Sequence, residues 1–235
     1  MIIEICGIPV QVTKKKIKNM HLYVKPPDGR VEVSVPSYLS YGSAERFVRS
    51  KIDWIRARQK TLEAQPRKAE QRYVTGETLY AWGKKYYLDV KYSNRKYSLI
   101  LSGENAVLTV REGSTAKQRE ARVNKWYREQ LKSRIEILLP KWTGITGLRP
   151  TSWQTKNMTT RWGTCNTQTG KIWFNLQLAK KPPECLEYII LHELAHLRVR
   201  NHGPAFTAIL DRYMPDWRET RKKLNDSAPD STTAG

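Results

Sequence analysis

A chain of 235 residues has room for one large domain or two small ones, and no apolar run in it approaches the ~18 residues that a membrane-spanning helix needs. Its 42 Lys and Arg against 22 Asp and Glu give a net charge of +20, which makes acidic substrates, nucleic acid or nucleic-acid-bound proteins natural partners and a membrane span an unnatural one. Cys6, Cys165 and Cys185 are odd in number, far apart and free of any CxxC pairing, so buried or structural thiols in a reduced cytoplasm are expected rather than a disulfide framework.

Met1–Ile5 lacks a basic region followed by a long apolar core, so no signal peptide is expected. Glu4–Val12 and Leu22–Val24 read as short strands. Val31-Glu32-Val33-Ser34-Val35 alternates like a half-buried strand ended by Pro36. Ser43–Glu63 has the spacing of one amphipathic helix, with Phe47, Ile52, Ile55 and Leu62 inward and Trp54 nearby. A polar link follows at 65–71. Thr78–Trp82, Lys85–Tyr92, Tyr97–Ser102 and Ala106–Val110 then predict a small antiparallel sheet.

Thr115-Ala116-Lys117-Gln118 is a capping-box pattern. It predicts a long helix to Leu139, with Val123, Tyr127, Leu131, Ile135 and Leu138 inward and Pro140 as the stop. Trp153–Met158 and Lys171–Leu178 read as strands flanking the segment 161–170. Lys171–Leu178 is the expected exposed edge on which an extended peptide could pair. Closing helices are expected at Pro204–Tyr213 and Pro215–Leu224, and a frayed tail from Asp226 onward. The sequence shows no internal repeats and no Gly-rich phosphate loop.

Three of the four histidines fall between 192 and 202, in His192-Glu193-Leu194-Ala195-His196 and His202. Pro183, Glu184 in the first turn and the apolar positions Leu186, Ile189, Ile190, Leu194 and Leu197 place that motif on a buried helix, which should stop near Asn201 before Gly203-Pro204. Residues four apart on a helix share a face, so His192 and His196 can hold one Zn²⁺, with Glu193 beside it as general base. His202 completes a set of three imidazoles and leaves one position open for chemistry. Asp211, Asp216 and Glu219 are the alternative third ligands. Val199 stands where the extended metzincin motif has Gly, so simple metzincin membership is not expected.

The same residues carry a resemblance. His192–Leu197, Asn201-His202-Gly203-Pro204-Ala205-Phe206, Tyr213-Met214-Pro215-Asp216-Trp217, Arg161-Trp162-Gly163-Thr164-Cys165 and Lys171–Leu176 resemble the bacterial YgjP-like zinc metallopeptidases, relatives of the SprT and WLM groups. Thr164 stands where that family usually has Ser, and Thr207 where it usually has Trp. The resemblance implies an α+β protein with an N-terminal β-rich region at 1–112, a minimal zincin-type peptidase domain at 113–225 and a flexible tail at 226–235. It implies one Zn²⁺ per chain on His192, His196 and His202, with Glu193 as base.

The expected reaction is peptide hydrolysis. Zinc on three imidazoles acidifies water, Glu193 takes its proton, and the hydroxide attacks a peptide carbonyl. Glu193 then passes the proton to the leaving amine. Arg161 and Asn175 are the candidate substrate-binding residues, although a surface role explains Arg161 equally well. Arg161, Arg198 and Tyr213 are the candidates for stabilising the oxyanion. Two rival readings stand beside this one. The first is a nucleic-acid-associated protease or basic nucleic-acid-binding protein: residues 1–150 carry +16 and residues 151–235 only +4, and Lys14-Lys15-Lys16-Ile17-Lys18 is the densest run. A solvated basic surface explains that charge equally well. The second is a non-catalytic module that keeps the metal helix, against which an intact Glu193 argues.

Overall fold

The alternating strands near the N-terminus do form, but as hairpins. In the computed structural model, which describes residues 1–25, 28–64, 71–94 and 97–226, the expected single strand over Glu4–Val12 is two: β1 (Ile2–Ile5) and β2 (Ile8–Lys15). They turn at Cys6 and Gly7, both left-handed at φ 52° and 77°, the backbone of a tight hairpin turn. β3 (His21–Lys25) and β4 (Arg30–Pro36) complete a sheet of order β1-β2-β4-β3, in which β2 and β4 run parallel. The region is β-rich as expected, yet its sheet is mixed rather than purely antiparallel.

Ile5, Ile8, Val10, Val12, Val31, Val33 and Val35 bury one face of this sheet under Ala44, Val48 and Ile55. Those last three lie on two helices, α1 (Tyr41–Arg49) and α2 (Ile52–Ala64), not one. The Ser50 hydroxyl donates back to the Phe47 carbonyl at 2.8 Å, a local bond that competes with continuing the helix. Trp54 is half exposed. These elements form one compact unit, Met1–Ala69, and the rest of the chain forms a second, Glu70–Gly235. The division therefore falls well before the expected boundary at 112, because the next sheet shares its core with the helices that follow it. The link at 65–70 and the tail beyond Asp226 lie outside the described residues.

The second unit begins by repeating the topology of the first. β5 (Thr78–Ala81), β6 (Lys84–Tyr92), β7 (Ser98–Ser102) and β8 (Asn105–Val110) pair in the order β5-β6-β8-β7, with β6 and β8 parallel. Its first hairpin again turns on a left-handed residue before Gly, Trp82 and Gly83, at φ 50° and 79°. The sequence carries this repeat only as an x-Gly turn and alternating apolar positions, too little to be read without the fold.

α3 (Ala116–Thr146) starts at the expected capping box, with Thr115 and Gln118 exchanging both bonds. It does not stop at Pro140. Proline removes one N–H from the ladder, but the turn beyond it buries Trp142 and Thr143, and Trp142 Nε1–H donates to Glu187 at 3.0 Å. Burial thus holds the last turn in place, and Leu139 rather than Leu138 is the buried residue there. A third sheet, of order β10-β11-β9, follows from β9 (Ser152–Lys156), β10 (Gly163–Asn166) and β11 (Lys171–Asn175). β11 is its central strand, so the expected exposed edge at Lys171–Leu178 is paired on both sides, and Leu176–Lys180 is a 3₁₀ turn.

α4 (Pro183–His196), α5 (Pro204–Tyr213) and α6 (Trp217–Asp226) close the unit. The β5–β6 tip anchors the entry to α4. Trp82 N–H donates to Ala179 O and Gly83 N–H to Lys180 O, and a Cβ at Gly83 would meet Pro182 at 2.9 Å. α4 is buried nearly all round, at Cys185, Leu186, Tyr188–Leu191 and Glu193–Ala195, so its two histidines stand on a helix held from every side. Among the described residues no helix is long and apolar enough to cross a membrane.

Candidate metal and catalytic site

His192 and His196 lie one turn apart on α4, their ring centroids 4.9 Å apart. The helix ends at His196 rather than near Asn201, and the connection to α5 swings His202 back to them. His202 lies 5.0 Å from His192 and 4.7 Å from His196 by ring centroids, and the Nε2 atoms of His192 and His202 are 3.1 Å apart. The buried Phe206 ring at the start of α5 touches all three imidazoles, at 4.7 to 4.9 Å. His196 Nδ1–H donates to Val199 O at 3.1 Å in the tautomer that frees Nε2.

These three residues are the one group of potential metal donors that converges among the described residues, all donor atoms lying within 4.8 Å of one another. Two nitrogens about 2.0–2.1 Å from a tetrahedral ion are roughly 3.3 Å apart, close to the observed Nε2–Nε2 distance, so the set fits a small divalent cation. The carboxylates weighed as alternatives are not part of it. Asp211 accepts from Trp217 Nε1–H and from Arg218.

Burial suppresses protonation here. The pKa of His192 falls to about 3, chiefly from desolvation and then from its neighbours His196, His202 and Arg221. His196 is lowered for the same first reason. Neutral imidazoles are the form that binds metal. Glu193 is 3% exposed, and burial lifts its pKa to about 8 against the opposing charge of Arg161.

The site opens into a cleft of about 930 Å³. One wall is Arg161–Gln168, which includes edge strand β10, and the other comes from α4, α5 and α6. Arg161 therefore reaches the site, whereas Arg198 and Tyr213 do not line it. Asn175 is a correction. It is 2% exposed and lies outside the lining, its amide donating to Met158 O and Arg161 O while its Oδ1 accepts from the N–H groups of Met158 and Gln177. A buried amide with every bond used shapes the loop that carries Arg161 and has none left for substrate.

The sequence reading gave no site role to Gly163, Tyr188, Trp217 or Arg221, which also line the cleft. Gly163 sits against Glu193, Tyr188 and Trp217 stack at 6.2 Å, and Arg221 stands beside them. Trp217 and Arg221 are four apart on α6, a spacing that puts them on one face, and that was the available signal.

Two histidines a helical turn apart, a third returned by the following connection and a buried glutamate in an open cleft are the arrangement of a metal-dependent hydrolase. Residues 18–227 match the YgjP-like metallopeptidase domain, and the chain belongs to that family. No curated protein matches the chain significantly. Among solved structures it is similar to the metallopeptidase zymogen of Pyrococcus abyssi abylysin, at 21% identity and TM-score 0.36, over 38% of this chain and 90% of that one. It is also similar to the metallopeptidase zymogen of Methanocaldococcus jannaschii jannalysin, at 25% identity and TM-score 0.33, over 40% of this chain and 92% of that one.

Proposed function

We propose that this metallopeptidase is zinc-dependent, held together by His192, His196 and His202, and that it cleaves peptide bonds with Glu193 as general base. The observation that carries the reading is the convergence of three imidazoles, two of them held in the neutral form by burial, beside one buried carboxylate. A donor set of three nitrogens with no thiolate and no carboxylate suits zinc with one position left open. Zinc there would polarise the scissile carbonyl and acidify water.

The chain's own groups do the rest. Glu193 accepts the proton of the attacking water and delivers it to the leaving nitrogen, and its elevated pKa makes it a stronger base than a solvated carboxylate. With a dication held by the three histidines, the Glu193 carboxyl would ionise more readily than it does in the metal-free site. Arg161 stabilises ionised Glu193 and is the one oxyanion candidate on the cleft wall. β10 is paired on one side only, so an extended substrate can add to it as a further strand along the cleft.

Metal analysis of the purified protein and of His192→Ala, His196→Ala and His202→Ala, paired with digestion of an unfolded protein mixture, tests the reading. One zinc per chain in wild type, lost in each variant together with cleavage, is the expected result. Full zinc occupancy in His202→Ala would remove that residue from the ligand set.

A further inference from the structure

Helix α6 carries Arg218, Arg221, Lys222 and Lys223. Two of these charges are matched away from the cleft: Arg218 pairs with Asp211, and Lys223 with Glu184 at 3.5 Å. Arg221 lines the cleft and has no ion pair among the described residues, and the same is true of Arg200 from the α4–α5 connection. Glu193, buried beside the histidines, is the sole acid in the lining among the described residues. On α6, Arg218 and Lys223 thus have acidic partners, whereas Arg221 at the cleft and Lys222 outside it have no ion pair among the described residues.

The wall behind Arg221 is built and fixed. Tyr188 and Trp217 are buried and stack nearly parallel, at 10°, and Trp217 is held through its Nε1–H to Asp211 at 2.8 Å. Leu224 and Asn225 complete the lining on the same face of α6. The charge of Arg221 is felt by both Tyr188 and His192, so this recess lies next to the metal-binding residues.

We propose that Arg221, supported by Arg200, is a carboxylate subsite that selects substrates with an acidic group close to the scissile bond. The inference rests on the peptidase reading above. A guanidinium holds a carboxylate through two parallel N–H bonds, and low-dielectric aromatic walls strengthen that pair relative to water. The carboxylate comes either from an Asp or Glu side chain or from the substrate's own C-terminus.

The test uses the zinc-loaded protein and fluorogenic peptides that differ only in Glu, Gln or Lys flanking the cleaved bond, each made with a free and with an amidated C-terminus. Wild type should prefer Glu over Gln, or the free over the amidated terminus, by at least about 10-fold in kcat/KM, expressed in KM. The better of the two arms identifies the source of the carboxylate. Arg221→Gln should erase the ratio and Arg221→Glu should turn it toward Lys. Lys222→Gln, which removes the same charge one residue away on α6, should preserve it. A ratio near one in both arms, or equal loss in Lys222→Gln, overturns the subsite while leaving peptidase activity intact. Should no peptide be cut, their dissociation constants carry the same ratios. Selective binding without cleavage then supports the subsite and counts against the peptidase reading.

Discussion

Gly163 stands where any side chain would displace the Glu193 carboxylate. A Cβ at that position would lie 2.8 Å from both Cγ and Cδ of Glu193 and closer still to Oε1. The backbone of Gly163 is not left-handed, so the glycine is there for space rather than for conformation. Gly163→Ala should therefore keep zinc and fold but lower kcat by about 10²-fold with KM little changed, the scale expected of a displaced catalytic group. In a Glu193→Asp background, whose side chain is one methylene shorter, the same substitution should cost much less. Additive losses on steady-state kinetics of the four proteins would refute the steric link.

Glu193 also sets a pH signature on the metal-free protein. Its folded pKa of about 8 lies above its ordinary 4.5, so the fold binds this proton more tightly than the unfolded chain does. The resulting stability is fully present below about 4.5 and is lost as pH rises through 8. Glu193→Gln, which mimics the neutral acid, should lack this loss. Denaturant titrations of both metal-free proteins between pH 4.5 and 9 should diverge, with wild type the weaker at high pH. Parallel curves would mean that the carboxylate ionises in the fold as easily as in water. His192 acts in the opposite sense, losing stability as pH falls from 6.5 toward 3, and is common to both proteins.

The nucleic-acid reading has its own test in the first unit. Lys14, Lys15, Lys16 and Lys18 are all exposed, at the end of β2 and just beyond it. Affinity for labelled single- or double-stranded DNA should fall steeply between about 50 and 200 mM salt, since phosphate contacts release counterions. Changing the four lysines to Gln should make the salt dependence shallower by roughly 0.9 in log–log slope per lost contact to duplex. Absence of binding by wild type at 50 mM salt would reduce the charge to a solubility feature.

What was legible in the sequence is what local chemistry determines. The capping box at Thr115, the start of α5 at Pro204 and the inward Val31, Val33 and Val35 all depend on near neighbours and form as read, although Ser34 between them is buried too. The three histidines were legible because a fixed helical spacing and a short connection bring them together. What depends on distant packing was not. Pro140 passes through α3 because Trp142 and Glu187 hold the turn beyond it. β10 escaped because its four residues are only partly covered and show no buried alternation. Asn175 looked available for substrate, yet its partners at 158 and 161 come from a loop whose path only the fold reveals. Arg221 carried no signal in the sequence beyond its spacing from Trp217, because only the fold shows that it lines the cleft while Arg218 and Lys223 on the same helix have acidic partners.

Hydrolysis by zinc-loaded Glu193→Gln tests the central claim most directly. Gln nearly matches Glu in shape, leaves the three imidazoles in place and cannot accept the proton of the attacking water. The account predicts one zinc per chain, unchanged unfolding and a fall in peptide cleavage of at least about 10²-fold. Undiminished cleavage by the zinc-loaded variant would contradict it and remove Glu193 from the chemistry.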